Sequence, residues 1–557
     1  MRLIAFFRSS LLFFALCLSA CGQVAEPHIT TSTDQAGVHP IQKINVPDPL
    51  KTLTLNGYVK GYWAEQAANI VAYKGIPYAQ PPVAELRFRP PQAPTSWTHE
   101  RAAEQAGPAC WQAATQDQFV WSRSNFAMSE DCLYLNIWAQ ADAENMPVMV
   151  WFHGGSHTVG MGHEKIFDGT ELAKQGVILV SINYRLGPFG FLAHPALAIE
   201  SAQNSAGNYG LLDKIAALNW VGDNIEQFGG DAQNITIFGQ SAGSQSVCSL
   251  MASPLAQGLF HKAIGQSASC VSPMAEPDAD GFIRGKSLAK ALGGAISVDH
   301  LRAATPQALL AAAETSKWAN LSRIVIDGWV VAEPQEATFR AGRQAAVPLL
   351  LGSLANEGNQ LLPLNEKLSK AELEQFAQKR AGRLAAALLS LYADEPTPGI
   401  AQRAISTDLF MAYGMRHWAD LQHTQGVPTF LYFLDHATPA FRLYSPDNPD
   451  LELADGPKSV GAYHSGDLAY VFGNTRNVGA GWAQEDHDLA SLMVSYWTNF
   501  AKFGDPNGDP THAGNLPQWP AYDSVRRSTQ VLGTQTHTVS GVRQAKLDLW
   551  DKFFAND

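Results

Sequence analysis

The chain has 557 residues, 46% of them hydrophobic and 16% charged, with a formal net charge of −12. That balance suits a folded enzyme with a large core, and it argues against nucleic acid as a partner, because phosphate binding needs clustered Lys and Arg. No heptads, low-complexity tracts or solenoid-period repeats interrupt the chain, so one large domain over residues 46–557 is expected.

The amino terminus reads as a targeting segment. Arg2 and Arg8 flank the start, and Leu11 to Leu18 is an apolar run too short to span a bilayer, so residues 1–20 read as a signal peptide. The run ends Leu18-Ser19-Ala20-Cys21, which resembles the lipobox of bacterial lipoproteins, where cleavage precedes a cysteine that is then lipid-modified. The resemblance implies a membrane attachment through lipid on Cys21. It points to the outer membrane, facing the periplasm or the exterior, since Gly22 is not the aspartate associated with inner-membrane retention. A plain secretory signal is the alternative. Residues 21–45 are polar and aperiodic, which suits a tether. With Cys17 and Cys21 set aside, Cys110, Cys132, Cys248 and Cys270 remain, an even number that fits disulfides in an oxidising compartment. Cys110 with Cys132 would close a loop of about twenty residues, worth ~3 kcal/mol. Cys248 and Cys270 are either a second bridge or two free core thiols.

About residues 52 to 75 read as a short antiparallel meander. Strands are then expected at Cys132–Trp138, Val148–Phe152, Val177–Asn183, Ile235–Phe238, Ala263–Gln266, Val347–Leu351 and Thr429–Leu434. Helical patterns lie between them, at Leu211–Asn219, Gln245–Met251, Phe282–Ala291 and Ala371–Ala377. Such alternation predicts an α/β fold: a central, mostly parallel sheet with helices on both faces.

Three places along this frame carry chemistry. Trp151-Phe152-His153-Gly154-Gly155-Ser156 follows a strand, and its adjacent glycines can turn backbone N–H groups into a cavity. Gly239-Gln240-Ser241-Ala242-Gly243 sits between a strand and a helix, a turn that lifts a serine hydroxyl clear of the backbone beside a helix N-terminus. Gly265-Gln266-Ser267-Ala268-Ser269 lacks the closing glycine, and Ser267 reads as a strand-end residue. Glu357 follows the strand Val347 to Leu351, where a parallel sheet places functional groups. Among sixteen histidines, His464 has small neighbours and precedes an apolar helix start, whereas His487 is crowded by charge and reads as a solvated helix face. No C-x-x-C or H-E-x-x-H spacing suggests a metal.

These residues resemble the type-B carboxylesterases, the cholinesterase-like branch of the α/β hydrolases, over about residues 52 to 525. The likeness includes Lys74-Gly75-Ile76-Pro77-Tyr78-Ala79, Arg87-Phe88-Arg89-Pro90-Pro91 and Ser129-Glu130-Asp131-Cys132-Leu133-Tyr134-Leu135-Asn136. It extends to Asn183-Tyr184-Arg185, Gly207-Asn208-Tyr209-Gly210-Leu211-Leu212-Asp213 and Tyr496-Trp497-Thr498-Asn499-Phe500-Ala501, besides the serine turn. The resemblance implies an α/β-hydrolase fold and a cofactor-free serine esterase. Ser241 would be the nucleophile, Glu357 the acid, His464 the base, and Gly154, Gly155 and Ala242 the oxyanion donors. It also implies a Cys110–Cys132 disulfide and an Arg87–Glu130 ion pair.

Gln240 departs from the glutamate that many cholinesterases carry before the nucleophile, which removes a negative charge and favours neutral over choline esters. Trp121 lies near where choline-binding members carry an aromatic, and it could hold a cation or simply pack. Phe126, Trp318, Phe410 and Tyr463 either line an apolar cleft or belong to the core. The rival functions are a catalytically silent binding or adhesion protein, and amide or thioester hydrolysis by the same residues.

Overall fold

Strand residues alternate faces, and here both faces are apolar, so each central strand feeds two cores at once. In Met146–Phe152, the side chains of Val148, Val150 and Phe152 enter one core while Met149 and Trp151 enter the other. Ile178, Val180 and Ile182 join the first core and Leu179 the second. The helix Tyr209–Asn224 covers the first face with Leu211, Leu218 and Val221. The helix Gln484–Phe503 covers the second with Leu489, Met493, Trp497 and Phe500.

The computed structural model describes residues 48–113, 126–271, 281–294, 297–316, 318, 324–362, 364–439, 461–479, 481–509, 511 and 515–555. The segments read as signal and tether, with Cys21 and Trp121, lie outside the described residues. Eleven strands form the large sheet: β1 Tyr62–Glu65, β2 Ile70–Pro77, β3 Tyr134–Gln140, β4 Met146–Phe152, β5 Ile178–Ile182, β6 Gly230–Gln240, β7 Lys262–Gln266, β8 Leu349–Leu354, β9 Thr429–Leu434, β10 Ser528–Leu532 and β11 His537–Ser540. Their spatial order is β11-β10-β9-β8-β7-β6-β4-β5-β3-β2-β1. From β10 through to β5 the pairing is parallel, and the strands at both edges are antiparallel. This is the α/β-hydrolase arrangement.

The expected meander is split. Lys51–Thr54 pairs with Gly57–Lys60, which also pairs with Arg101–Ala102, in a separate small sheet, while β1 and β2 join the large one. The N–H of Gly61, between the two, donates to the Leu50 carbonyl, and its missing side chain leaves room for the Ala72 carbonyl at a would-be Cβ distance of 2.3 Å. The β10–β11 hairpin had no expectation, because His537–Ser540 is exposed and lacks an apolar run.

Long-range polar locks set the frame around the sheet. Arg185, buried just after β5, grips Asp213 of the Tyr209–Asn224 helix, with Nη2 to Oδ1 at 2.7 Å and Nε to Oδ2 at 2.9 Å. Arg87 forms a two-pronged pair with Glu130, its Nε to Oε1 distance being 2.6 Å. Cys110–Cys132 and Cys248–Cys270 are both disulfides, so all four of these cysteines are paired. Each closes a stretch 22 residues apart in sequence, and each loop constraint is worth about 3 kcal/mol on a chain-entropy account.

Candidate active site

Parallel strands end on the same side of a sheet, so their following loops converge there. In register, Phe152 of β4 lies beside Gly239 of β6, and Gln240 lies beside Gln266 of β7. Gln266 pairs with Gly352 of β8. The glycine turn, the serine turn and Glu357 follow three of these neighbouring ends, and His464 comes from the segment beyond β9.

Ser241 joins β6 to the helix Ala242–Ala252 with φ 56° and ψ −124°, a conformation disfavoured for a residue with a side chain. Its N–H donates to the Gln266 carbonyl at 2.8 Å, and its carbonyl accepts from Gln245 at 2.9 Å, which holds the turn from both sides. The flanking glycines are steric necessities. A Cβ on Gly239 would lie 2.5 Å from the Gly243 carbonyl carbon, and one on Gly243 would lie 1.9 Å from the Phe152 carbonyl oxygen. The helix start is thereby pressed against the end of β4.

That contact brings the second glycine turn alongside. A Cβ on Gly154 would be 3.2 Å from the Ser241 Cβ and 2.9 Å from the Gln240 carbonyl oxygen. Gly155 takes φ 99°, and its carbonyl accepts from Thr158 and Val159 at 2.9 and 3.0 Å. Ala242 opens the helix, whose first N–H groups have no partner within it. His153 stacks on Tyr184, with ring centroids 4.3 Å apart, and its Nδ1 lies 2.8 Å from the Gly154 carbonyl. Gln112 clasps the far end of the loop, its Oε1 accepting from Gly160 N at 2.7 Å and its Nε2 donating to Gly160 O at 2.9 Å. The Cys110–Cys132 loop is thus tied to the glycine turn.

Glu357 and His464, 107 residues apart, meet as a buried pair: His464 Nδ1 is 2.6 Å from Glu357 Oε2. The other carboxylate oxygen accepts from Leu354 N at 2.9 Å. A carboxylate can only accept, so Nδ1 carries the proton and the neutral ring leaves Nε2 as an acceptor. Nε2 faces Gln240 Nε2 at 3.2 Å. Asn356, which the sequence did not single out, clamps the two loops together. Its N–H donates to the Ala462 carbonyl at 2.9 Å and its Oδ1 accepts from Ala462 N at 3.0 Å. No sequence signal could pair residues so far apart.

Asp467 was also missed. It is fully buried, its Oδ2 accepting from Gln266 Nε2 at 2.7 Å and Tyr432 Oη at 3.2 Å. Burial pushes its carboxyl up to about 6, and the nearby Glu357 carboxylate adds to the effect. It fastens the histidine loop to the end of β7 and to the middle of β9.

The expected solvated face at His487 is half turned inward. His487 Nδ1 lies 2.8 Å from Thr475 Oγ1, and the adjacent Asp486 is buried, accepting from Tyr470 Oη at 2.7 Å. Ser267 stands one residue past β7, as expected, with its N–H on the Gly352 carbonyl at 2.9 Å. Trp318 packs in the first core and Tyr463 in the second, so both are core aromatics.

A family model for the carboxylesterase family matches residues 48–550. The chain belongs to the carboxylesterase family. It is a carboxylic ester hydrolase. The esterase is similar to a para-nitrobenzyl esterase of Bacillus subtilis, 34% identical over 83% of this chain and 91% of the relative. It is 32% identical to carboxylesterase 1D of Rattus norvegicus, over 90% and 93% of the two chains. A solved carboxylesterase from Geobacillus stearothermophilus superposes with a TM-score of 0.76 at 32% identity, covering 90% of this chain and all of that one.

His163, on the segment that follows the glycine turn, carries a pH consequence for the esterase. Burial holds His163 down at about 4 against 6.5 for the free side chain, with Asn183 opposing in part. The folded state therefore binds fewer protons than the unfolded state between those values. Its contribution is complete above pH 6.5 and is lost as pH falls toward 4, about 3 kcal/mol in all. Denaturant midpoints taken from pH 7 to pH 4 should show the native chain losing that much more stability than His163→Gln. Parallel curves would mean that the ring is solvated.

Proposed function

We propose that the esterase acts through an acyl-enzyme formed on Ser241. The reading is carried by the buried Glu357–His464 pair, which stands at the same sheet edge as the positive-φ serine turn. His464 accepts the Ser241 proton as the hydroxyl attacks the ester carbonyl, and Glu357 orients the imidazole and stabilises its charged form. N–H groups of Gly154, Gly155 and Ala242 stabilise the tetrahedral oxyanion, and such donors are worth about 3–4 kcal/mol each. The C–O bond to the alcohol breaks as His464 returns the proton to the leaving oxygen. Water, activated by the same histidine, then releases the acid and restores Ser241. Every step uses the chain's own groups and requires no cofactor.

The substrate is a small carboxylic ester. Gln240 offers no net charge to a quaternary ammonium, so neutral esters are preferred over choline esters. Purified mature protein should be compared on a butyrate ester, a matched thioester, a matched anilide and butyrylcholine. The neutral ester is expected to have the highest kcat/KM. Tenfold preference for butyrylcholine would promote a cation site such as Trp121, and preference for the anilide would make the enzyme an amidase. No turnover of any of them would support the silent binding role. Export through the leader, with lipid on Cys21, stands beside this reading as a proposal from the sequence.

A further inference from the structure

Gln240 is the last residue of β6, and its backbone is held in register with Gln266 of the neighbouring strand. Its side chain is almost wholly buried, at 1% exposure, and it lies between two parts of the site. On one side the amide oxygen packs on the glycine turn, where a Cβ on Gly154 would sit 2.9 Å from it. On the other side the amide nitrogen is 3.2 Å from His464 Nε2.

The direction of that second contact follows from the contact that His464 makes with Glu357. Its Nδ1 proton is committed to Glu357 at 2.6 Å, so Nε2 of the neutral ring can only accept. The Gln240 amide therefore donates to it. A donor at this point stabilises neutral imidazole, because the imidazolium would bring an N–H against an N–H. It also fixes the ring in the tautomer whose lone pair lies on the nitrogen remote from the carboxylate, and Ser241 displaces the amide from that lone pair when it hands over its proton.

We propose that Gln240 is a positioning residue that sets the pH at which His464 becomes competent as a base. This rests on the assignment of His464 as base under the proposed function. Among the described residues, groups facing His464 include Glu357 from beyond the end of β8, Gln240 from β6 and, through electrostatic interaction, Asp467 three residues along its own segment. Tyr432 of β9 bonds Asp467 rather than the ring, and its phenol is held neutral well above its usual range by burial. The two carboxylates both favour the charged imidazolium. Of these groups, Gln240 favours the neutral form.

A carboxylate in the same place would reverse the preference. It can only accept, so it would demand a proton on Nε2 and hold the ring as imidazolium between two anions. The acid limb of activity then moves upward by about one to three pH units, and on that limb each unit is a tenfold loss of kcat/KM.

The test is the pH dependence of kcat/KM on a neutral butyrate ester for the full mature chain, its Gln240→Glu and Gln240→Met variants, and His464→Ala. Gln240→Glu is expected to shift the acid limb up by at least about one unit. Gln240→Met keeps the length and removes the donor, so its limb should also rise, by less. Phosphonate labelling, read in parallel, counts the competent Ser241 in each preparation. A limb within about 0.3 unit of the native one in Gln240→Glu, with labelling intact, overturns the proposal, whereas a side chain that only fills space would lower activity at every pH. Should Gln240→Glu fail to fold, an unmoved limb in Gln240→Met overturns it equally. Retained turnover and an unchanged limb in His464→Ala would instead remove the base assignment, a failure distinct from that of Gln240.

Discussion

Ser241→Ala is expected to lower turnover by roughly four to six orders of magnitude and to abolish labelling by an organophosphonate. The size follows from the way the groups act as a unit. With the hydroxyl gone, the Glu357–His464 pair at 2.6 Å has nothing to deprotonate, and only the backbone donors remain to help a water attack. Folding should be nearly unaffected, because the backbone of the turn is held by Gln266 and Gln245 through main-chain atoms that alanine keeps. His464→Ala should match it in depth, while His487→Ala, whose ring reaches from the Gln484–Phe503 helix to Thr475, should stay within a few-fold of the native enzyme. Labelling that survives in Ser241→Ala, above all at Ser267, would move the nucleophile elsewhere. Equal losses at the two histidines would take the base assignment with it.

Gly243→Ala should damage both stability and chemistry. The new methyl would lie 1.9 Å from the Phe152 carbonyl oxygen and 3.0 Å from that of His153, both backbone atoms at the end of a central strand. Neither can retreat cheaply, since β4 is hydrogen-bonded on both sides, to β5 and to β6. Overpacking of this kind costs about 1–3 kcal/mol or more. The relief available is to push the serine helix away from the Gly154 turn, and a shift near 1 Å at reacting groups costs about a hundredfold in rate. Gly222→Ala is the matched control. It lies in the Tyr209–Asn224 helix with open space around it, so alanine there should be neutral or stabilising by up to about 1 kcal/mol. Thermal midpoints and kcat/KM of the two variants, measured together, decide the matter. A Gly243→Ala enzyme with native midpoint and activity would show that the helix start is not pressed against the strand.

Much of this was legible in the chain because the information is local. The strand ending at Phe152, the glycines that follow it and the Gly239–Gly243 turn each encode their own geometry in a few residues. Apolar runs buried on both faces marked the central parallel strands, and Thr429–Leu434 was expected with its observed bounds. Where the signal thinned, so did the reading: the exposed edge strand His537–Ser540 carries no apolar pattern. The charged stretch around His487 looked solvated because sequence shows charges and not their partners. Asp486 is buried there against Tyr470 and His436, at 2.7 Å from each.

By itself the sequence determined the layered fold and the serine turn, for which short-range sterics and periodicity suffice. The resemblance of its motifs gave the family, and with it the residues offered as acid and base. Only the tertiary structure decided how those residues meet. It joined Cys248 to Cys270, clamped the acid and histidine loops through Asn356, and set Asp467 beneath them. It also turned the Gln240 amide onto His464, across 224 residues of chain. Such contacts depend on strand order and on the convergence of parallel strand ends, which the folding of the whole sheet creates and no local stretch encodes.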